Sequence, residues 1–509
     1  MSYPLRMNIS LAARPATQPW AGAGAAPFVS WPILVWAFTL LMLAKGGTFL
    51  SDPDTFWHIE AGRWIIQHGQ VPVVDPFSHS MPGAAWTAHE WLAEIIFAKV
   101  HEIAGWNGLV VLIAVLVSAT LAGMTRFLLR YLQPVHALIF VALATGMLRS
   151  HLLARPHILV VPIVALWLAA LVSARDREAG PPWQVIPLMV LWANLHGSFT
   201  FGLALAGAMA LEAMLAGGRA AWFHEAKRWC LFVGLATLAA MVTPSHIEGL
   251  LFTLHVASLG SVLAHIGEWR SPDFQQFYVF EVWLLLLLLT ALSGRLKIPL
   301  IRAVIIIGMV HLSLKHSRYM AVTGLVMPFL LAAPFARHWY ASKKLGDDQG
   351  AVDRIFEALA PPANRIGAVV VGALSVAALA AVLALGKFLP PPTYSPEAAL
   401  QSLRESGVSG PLFNSYGFGG YLIFHRVPVF IDGRADMYGE AFVDRYAEAI
   451  QVKAAEGLTS LLDEYRIEAT MLTAESPAAV LLDHLAGWRR IHADDVAVVH
   501  VRGPSNAGR

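Results

Sequence analysis

The chain reads as a mainly α protein: a polytopic helical membrane domain of about 11 spans carrying a small α/β domain on its outer side. Three observations lead there. Of 509 residues, 57% are apolar and 14% charged, against about 25% charged in an ordinary soluble domain, which excludes an ordinary cytosolic enzyme. The apolar residues gather in runs near the roughly 20 residues that cross a bilayer. Beyond Leu389-Pro390-Pro391-Pro392, a stiff extended exit, charge returns and helical and strand patterns alternate. A net charge of +2 without any Lys/Arg block gives nucleic acid no footing. The single cysteine, Cys230, permits no internal disulfide and leaves the redox compartment unread.

Residues 1–27 form a tail with Arg6 and Arg14 but no small-residue cleavage site behind a short apolar core. Residues 28–50 are therefore expected to be a retained first span rather than a signal peptide. Further apolar runs lie near 106–125, 135–150, 157–173, 184–195, 199–216, 229–243, 278–293, 298–314, 318–336 and 365–389. The 184–216 pair could form one kinked element, and 246–266 is amphipathic and ambiguous. With the N-terminus inside, the inner connections hold 16 Lys/Arg, about twice the number on the outer side. The expected organisation is a cytoplasmic tail, a transmembrane domain over 28–389 with a long first outer loop at 51–105, and an extracytoplasmic (periplasmic) domain over 390–509. The Ala/Gly/Arg-rich composition suits a bacterial inner (cytoplasmic) membrane.

This topology separates the polar residues by side. Inner loops such as 174–183 and 217–228 carry mixed charges of a generic kind, whereas the outer segments hold the unusual residues. Span one runs directly into Ser51-Asp52-Pro53-Asp54-Thr55-Phe56-Trp57-His58. Two carboxylates at a membrane surface are costly without a partner. They are candidates for a general base or a metal-binding pair; equally, Asp54 is placed to cap a helix running Phe56–His68. Residues 89–103 put Leu92, Ile96, Val100 and Ile103 on one helical face, with Glu90, Glu94 and His101 turned away, which suits a helix lying in the interface. His89-Glu90-Trp91-Leu92-Ala93 lacks the second histidine of a metallopeptidase helix.

A first span followed at once by an acidic motif, a loop with interfacial helices, many spans and a C-terminal outer domain resembles the GT-C superfamily of membrane glycosyltransferases, which includes the protein mannosyltransferases, the aminoarabinose transferases of lipid A and the oligosaccharyltransferase catalytic subunits. Asp52 and Asp54 match the acidic motif at the start of the family's first outer loop, although Asp-Pro-Asp differs from the mannosyltransferases' Asp-Glu. The resemblance implies a sugar transferred from a polyprenyl-phosphate donor to a lipid, glycan or protein acceptor at the outer face. It implies that Asp52 or Asp54 is the catalytic base, and it allows a divalent metal such as Mg or Mn. Glu268 in GEWRSPDF would complete that metal site with Asp52 or Asp54.

A phosphate-bearing donor calls for cations, for which Arg offers forked donors and Lys a point charge. Arg149 and Arg155 in RSHLLARPH, and Lys315, His316 and Arg318 in LKHSRY, stand at outer span ends, where long side chains also snorkel for no functional reason. His196, between Asn194 and Ser198, interrupts an apolar stretch and either lines a cavity or makes a simple turn.

In the outer domain, PEAALQSLRES reads as helix, PLFNSYGFGGYLIFHRVPVFIDGR as strands around a glycine-rich turn, EAFVDRYAEAIQVKAAEGLTSLLDEY as helix, and EATMLTA and VAVVHVR as strands. GFGG lacks the spacing of a phosphate loop. Asp432, Arg434 and Asp436 either pair structurally or point toward the membrane site. Two other functions fit the pattern less well: a polar-lipid transporter or flippase, and a non-catalytic envelope assembly protein.

Overall fold

The computed structural model describes residues 26–216, 218–258, 267–294, 296–339 and 351–503. The N-terminal tail and the loop 340–350, expected on the inner side, carry part of the charge asymmetry and lie outside them. Helices α1 (Trp31–Leu43), α2 (Asp54–His68), α3 (Trp91–Leu128), α4 (Pro134–Leu148), α5 (His157–Asp176), α6 (Ile186–Leu195), α7 (Phe199–Ala216), α8 (Gly218–Ala240), α9 (His246–Ser258), α10 (Val279–Leu292), α11 (Leu300–Lys315), α12 (Tyr319–Trp339), α13 (Ala351–Ala358) and α14 (Arg365–Leu385) make up the first part of the chain.

Every apolar run of the sequence lies on one of these helices. Among the described residues five helical stretches, 91–128, 157–176, 199–216, 319–337 and 365–385, are long and apolar enough to cross a membrane. Others, such as α1, α4 and α10, are apolar but shorter, so the number of crossings rests on the sequence pattern. On α10 and α14, Leu285, Leu289, Val369 and Leu374 are exposed. A protein in water hides such residues, whereas a multi-pass membrane protein turns them to lipid.

The first loop, expected on the outer side, is built from two helices set against each other. Asp52 Oδ1 accepts a hydrogen bond from Asp54 N–H at 2.8 Å, so Asp52 satisfies the start of α2 and the Asp54 carboxylate makes no such cap. Gly69, at φ 66°, ends the helix in the left-handed conformation that glycine tolerates. Within α3, Gly105 at φ 56° and ψ −151° separates an outer helix from the membrane-length one. The outer half packs on α2 so tightly that a Cβ at Gly62 would stand 2.0 Å from the Glu94 carbonyl oxygen. That packing departs from the expected orientation at Glu94 and Ile103, while Leu92, Ile96 and Val100 pack on the core of the membrane domain as expected. Glu94 is buried against α2, and Ile103 is 82% exposed.

The C-terminal domain holds α15 (Glu397–Glu405), α16 (Gly419–Phe424), α17 (Ala435–Tyr438), α18 (Glu440–Ile450), α19 (Ala455–Glu464) and α20 (Pro477–His484). Its sheet consists of β1 (Leu412–Asn414), β2 (Ala469–Thr473), β3 (Trp488–Ala493) and β4 (Ala497–Arg502), in the order β1-β2-β4-β3. The β1–β2 pair is parallel and the other two pairs are antiparallel. The α/β expectation holds, with local corrections. GGYLIF is helix α16 rather than strand. Its glycines meet other backbone directly: a Cβ on Gly420 would lie 2.2 Å from the Pro53 carbonyl oxygen. Its Tyr421, Leu422 and Ile423 are buried in succession rather than alternating as a strand's would. The long expected helix breaks into α18 and α19 at Val452, which sits at φ 52°. Strand β3 was not anticipated.

The core of this domain extends into the first loop. Phe56, Trp57 and Ala61 of α2, with Trp86 and Ala88 of the first loop, belong to the same apolar cluster as Phe413, Leu422, Phe430 and Val499. Val429 N–H donates to the Phe77 carbonyl (3.2 Å) and His79 N–H to the Val429 carbonyl (3.0 Å). Arg434 is fully buried, bonded to Asp432 (2.8 and 2.6 Å) and to Asp75 of the first loop (2.6 Å). Its guanidinium also lies over the Trp86 ring at 4.8 Å.

Candidate active site

Asp52 and Asp54 meet their partner through backbone pinning. The segment leading into α5 is fixed to the first loop by Ala154 N–H donating to the Phe49 carbonyl (2.8 Å) and by Thr55 Oγ1 donating to the Ala154 carbonyl (3.0 Å). The next residue, Arg155, is thereby held between three carboxylates. Its Nε contacts Asp52 Oδ2 at 2.7 Å, Nη2 contacts Asp54 Oδ2 at 2.6 Å, and Nη1 contacts Glu268 Oε1 at 3.2 Å. Arg318 Nη1 stands 3.4 Å from the same Glu268 oxygen, and its guanidinium lies over the Trp269 ring at 4.3 Å. The loop between α11 and α12 is tied to 267–270 by Arg318 N–H and Ser317 Oγ, both donating to the Glu268 carbonyl at 3.1 Å.

The electrostatics distinguish these groups. Burial pushes Asp54 up to about 6, against the opposing pull of Arg155. Burial would also raise Glu268, but Arg318 and Arg155 outweigh it and hold the carboxyl below its ordinary value. Burial disfavours the charged form of Arg155, yet Asp54, Asp52 and Glu268 together fix it as a cation. Asp54 lines the adjoining cavity, whereas Asp52 is 3% exposed and lies behind it.

That cavity, of about 510 Å³, is of the size that small-molecule sites use. Val160, Val161 and Val164 of α5 and Val322 and Leu325 of α12 give it an apolar wall in the membrane domain. Arg155, Glu268 and Arg318 lie at one polar pole. Around Glu90 lies another: its Oε1 is 3.4 Å from His196 Nε2 and 3.6 Å from His89 Nε2, and its Oε2 is 3.9 Å from His58 Nε2. Burial raises Glu90 to about 7 and keeps His58 and His196 neutral, well below their ordinary values. The C-terminal domain closes the cavity with Tyr416, Gly433, Arg434 and Asp436. A Cβ at Gly433 would stand 1.9 Å from Asp54 Oδ1, so only glycine allows that approach.

Of the residues singled out in the sequence, Asp54, Arg155, His196, Glu268 and Arg318 line this one cavity. His316 lies beside it, with Nδ1 2.5 Å from the Trp269 carbonyl. Arg149 and Lys315 are exposed and outside its lining. Asp432 and Arg434 pair, as one of the two readings had it, while Asp436 faces the cavity as the other had it. Glu90, Glu94 and His58 were not singled out. The available signals were spacing: His58 is four residues after Asp54, and Glu94 four after Glu90, each on a shared helical face.

The expected metal set, Glu268 with Asp52 or Asp54, is arranged around a guanidinium. Among the described residues no three His, Cys, Asp or Glu groups are placed to hold a metal ion.

No protein-family model matches the chain, and no curated protein matches it. Solved structures do. ArnT of Cupriavidus metallidurans in the apo state aligns over 94% of this chain and 99% of its own, with a TM-score of 0.52 at 13% identity. The same protein bound to undecaprenyl phosphate gives 0.51 at 12% identity over the same shares. The archaeal oligosaccharyltransferase AglB of Archaeoglobus fulgidus, in complex with an inhibitory peptide and a dolichol-phosphate, gives 0.51 at 10% identity, over 87% of this chain and 69% of that one.

Proposed function

The chain has the GT-C fold, and from that premise we propose that it is a membrane glycosyltransferase that moves a sugar from a polyprenyl-phosphate donor to an acceptor hydroxyl at the outer membrane face. The observation that carries this reading is the convergence of a cavity-facing carboxylate, Asp54, with two arginines at the top of an apolar wall. Such a wall suits a prenyl chain, and Arg318 suits the phosphate at its head. Two of the structural neighbours are described bound to undecaprenyl phosphate and in complex with a dolichol-phosphate, lipid phosphates of the same chemistry.

In this mechanism Asp54 takes the proton of the acceptor hydroxyl as its oxygen bonds to the anomeric carbon. The bond from that carbon to the phosphate oxygen breaks, and the lipid phosphate leaves with the electron pair. Arg318, which shares Glu268 and is partly exposed to the cavity, faces the developing phosphate charge. Arg155 is saturated by three carboxylates, so its role is to hold Asp54 and Glu268 in register. Asp52 positions Arg155 and the start of α2. The cation in this arrangement is the Arg155 guanidinium. Lipid, glycan and protein acceptors are all compatible with a cavity that opens between the membrane domain and the C-terminal domain.

Binding of undecaprenyl phosphate to the purified protein in detergent tests the donor assignment. Arg318→Ala is expected to weaken it at least about tenfold, and Asp54→Asn to leave it within about twofold. Equal binding by wild type and Arg318→Ala contradicts the assignment.

A further inference from the structure

The mechanism above leaves the second pole of the cavity without a part. Ser198 N–H donates to His196 Nδ1 at 3.0 Å. The Ser198 hydroxyl accepts from the Trp192 indole at 3.0 Å and stands 2.8 Å from the same ring nitrogen. With Nδ1 an acceptor, the His196 proton sits on Nε2, which faces Glu90 Oε1. Glu90 is thus ringed by His196, His89 and His58 at separations of 3.4 to 3.9 Å, each longer than a normal hydrogen bond. Behind it, Glu94 is 1% exposed and its Oε2 has no hydrogen-bond partner among the described residues. The same is true of His58 Nδ1, 3.7 Å from Glu94 Oε1. Both residues line the cavity. Buried polar atoms of this kind are costly unless a ligand meets them.

The chemistry of the ring identifies the ligand class. Glu90 offers acceptors, and the imidazoles around it offer ring-nitrogen donors and acceptors. That is the complement of vicinal hydroxyl groups, each of which both gives and takes a hydrogen bond. Trp86 and Phe252 supply apolar faces in the same wall, and Phe252 lies 4.4 Å from the His89 ring. The pole adjoins the phosphate end, since the His196 and His157 rings are 6.3 Å apart and His157 is two residues from Arg155. Glu90, Glu94 and Asp436 all line the cavity, so a sugar carrying a carboxylate would meet buried carboxyl groups at this pole rather than an arginine or lysine to pair with.

We propose that Glu90, His196 and His89 form the subsite that reads the hydroxyl groups of the transferred sugar, and that this sugar carries no acidic group. The inference rests on the donor reading above and assigns the sugar end of the same site. A site built to hydrogen-bond hydroxyls discriminates strongly against ligands that lack them.

The test compares three probes on purified full-length protein: undecaprenyl phosphate alone, undecaprenyl phosphate carrying glucose, galactose, mannose or N-acetylglucosamine, and undecaprenyl phosphate carrying glucuronate. Wild type is expected to bind at least one neutral sugar probe about tenfold or more tighter than the bare lipid phosphate, and the glucuronate probe no tighter than the bare lipid. Glu90→Gln and His196→Asn are each expected to remove most of that gain while holding bare-lipid affinity within about twofold. Two variants at separate elements guard against one of them failing to fold. The inference is overturned if no neutral probe gains affinity, if the gain survives both substitutions, or if bare-lipid binding falls in parallel. A gain that survives while turnover is lost would assign the pole to the acceptor instead. Loss of Arg318-dependent binding of the bare lipid is a different result and sinks the donor reading.

Discussion

At the scale of single residues, the site rests on the difference between two aspartates two positions apart. Asp52 spends its oxygens on the Asp54 amide and on Arg155 Nε, so it builds, whereas Asp54 presents its carboxylate to the cavity. Asp54→Asn is therefore expected to lower the transfer rate by about 10²–10⁴-fold, the range for losing a general base, at unchanged membrane abundance. Asp52→Asn is expected to lower thermal stability as well as turnover, a split that a melting curve alongside a rate assay reveals. Burial puts the Asp54 pKa at about 6, and only the ionised form accepts a proton. The rate should be near its plateau at pH 7 and fall about tenfold per pH unit below 6; a pH–rate profile flat from 7 to 5 would exclude this base. Arg155 carries the largest structural load. Arg155→Met leaves Asp52, Asp54 and Glu268 without their shared cation, at a cost of about 3 kcal/mol or more, measurable as a lowered melting temperature in detergent. These roles were partly legible in the sequence, because carboxylates and arginines at outer span ends need partners. Which aspartate faces the cavity was not, since that depends on one amide hydrogen bond.

At the scale of elements, apolar runs announced the helices well because the bilayer imposes a length and a composition on them. Amphipathic elements were harder. The polar side of the outer half of α3 was expected to face water, yet it faces α2 and the cavity, because Gly62 lets the two helices approach until Glu94 is sealed between them. The same limit hid Glu90 and His58. GGYLIF misled for a related reason: its aromatic and β-branched residues suit a strand, but its two glycines serve close packing on Pro53 and Ile431. Close approach yields a prediction at this scale. Gly433→Ala places a methyl carbon against the Asp54 carboxylate and is expected to reduce turnover by tenfold or more while the protein folds and still binds undecaprenyl phosphate. Turnover equal to wild type would show that the Gly433 loop does not hold the Asp54 rotamer.

At the scale of the whole molecule, the C-terminal domain is not an appendage. It shares an apolar cluster with α2 and the first loop, buries Arg434 against Asp75 of that loop, and supplies part of the cavity wall. The sequence announced the domain through its change in composition, but contacts between residues some 350 positions apart leave no local pattern. Arg434→Met strands Asp75 and Asp432 in a buried setting and is expected to destabilise the whole protein by about 3 kcal/mol or more, with a single cooperative transition if the domain and loop fold as one. Two transitions, with the membrane domain unaffected, would mean the domain folds independently. The central claim is that Asp54 drives a sugar transfer within this shared cavity. It is tested most directly by comparing the lipid-linked sugars and envelope glycans of cells carrying wild-type protein with those of cells carrying Asp54→Asn at equal abundance. The expected result is a missing sugar modification and an accumulated polyprenyl-phosphate sugar in the variant; identical profiles would contradict the claim.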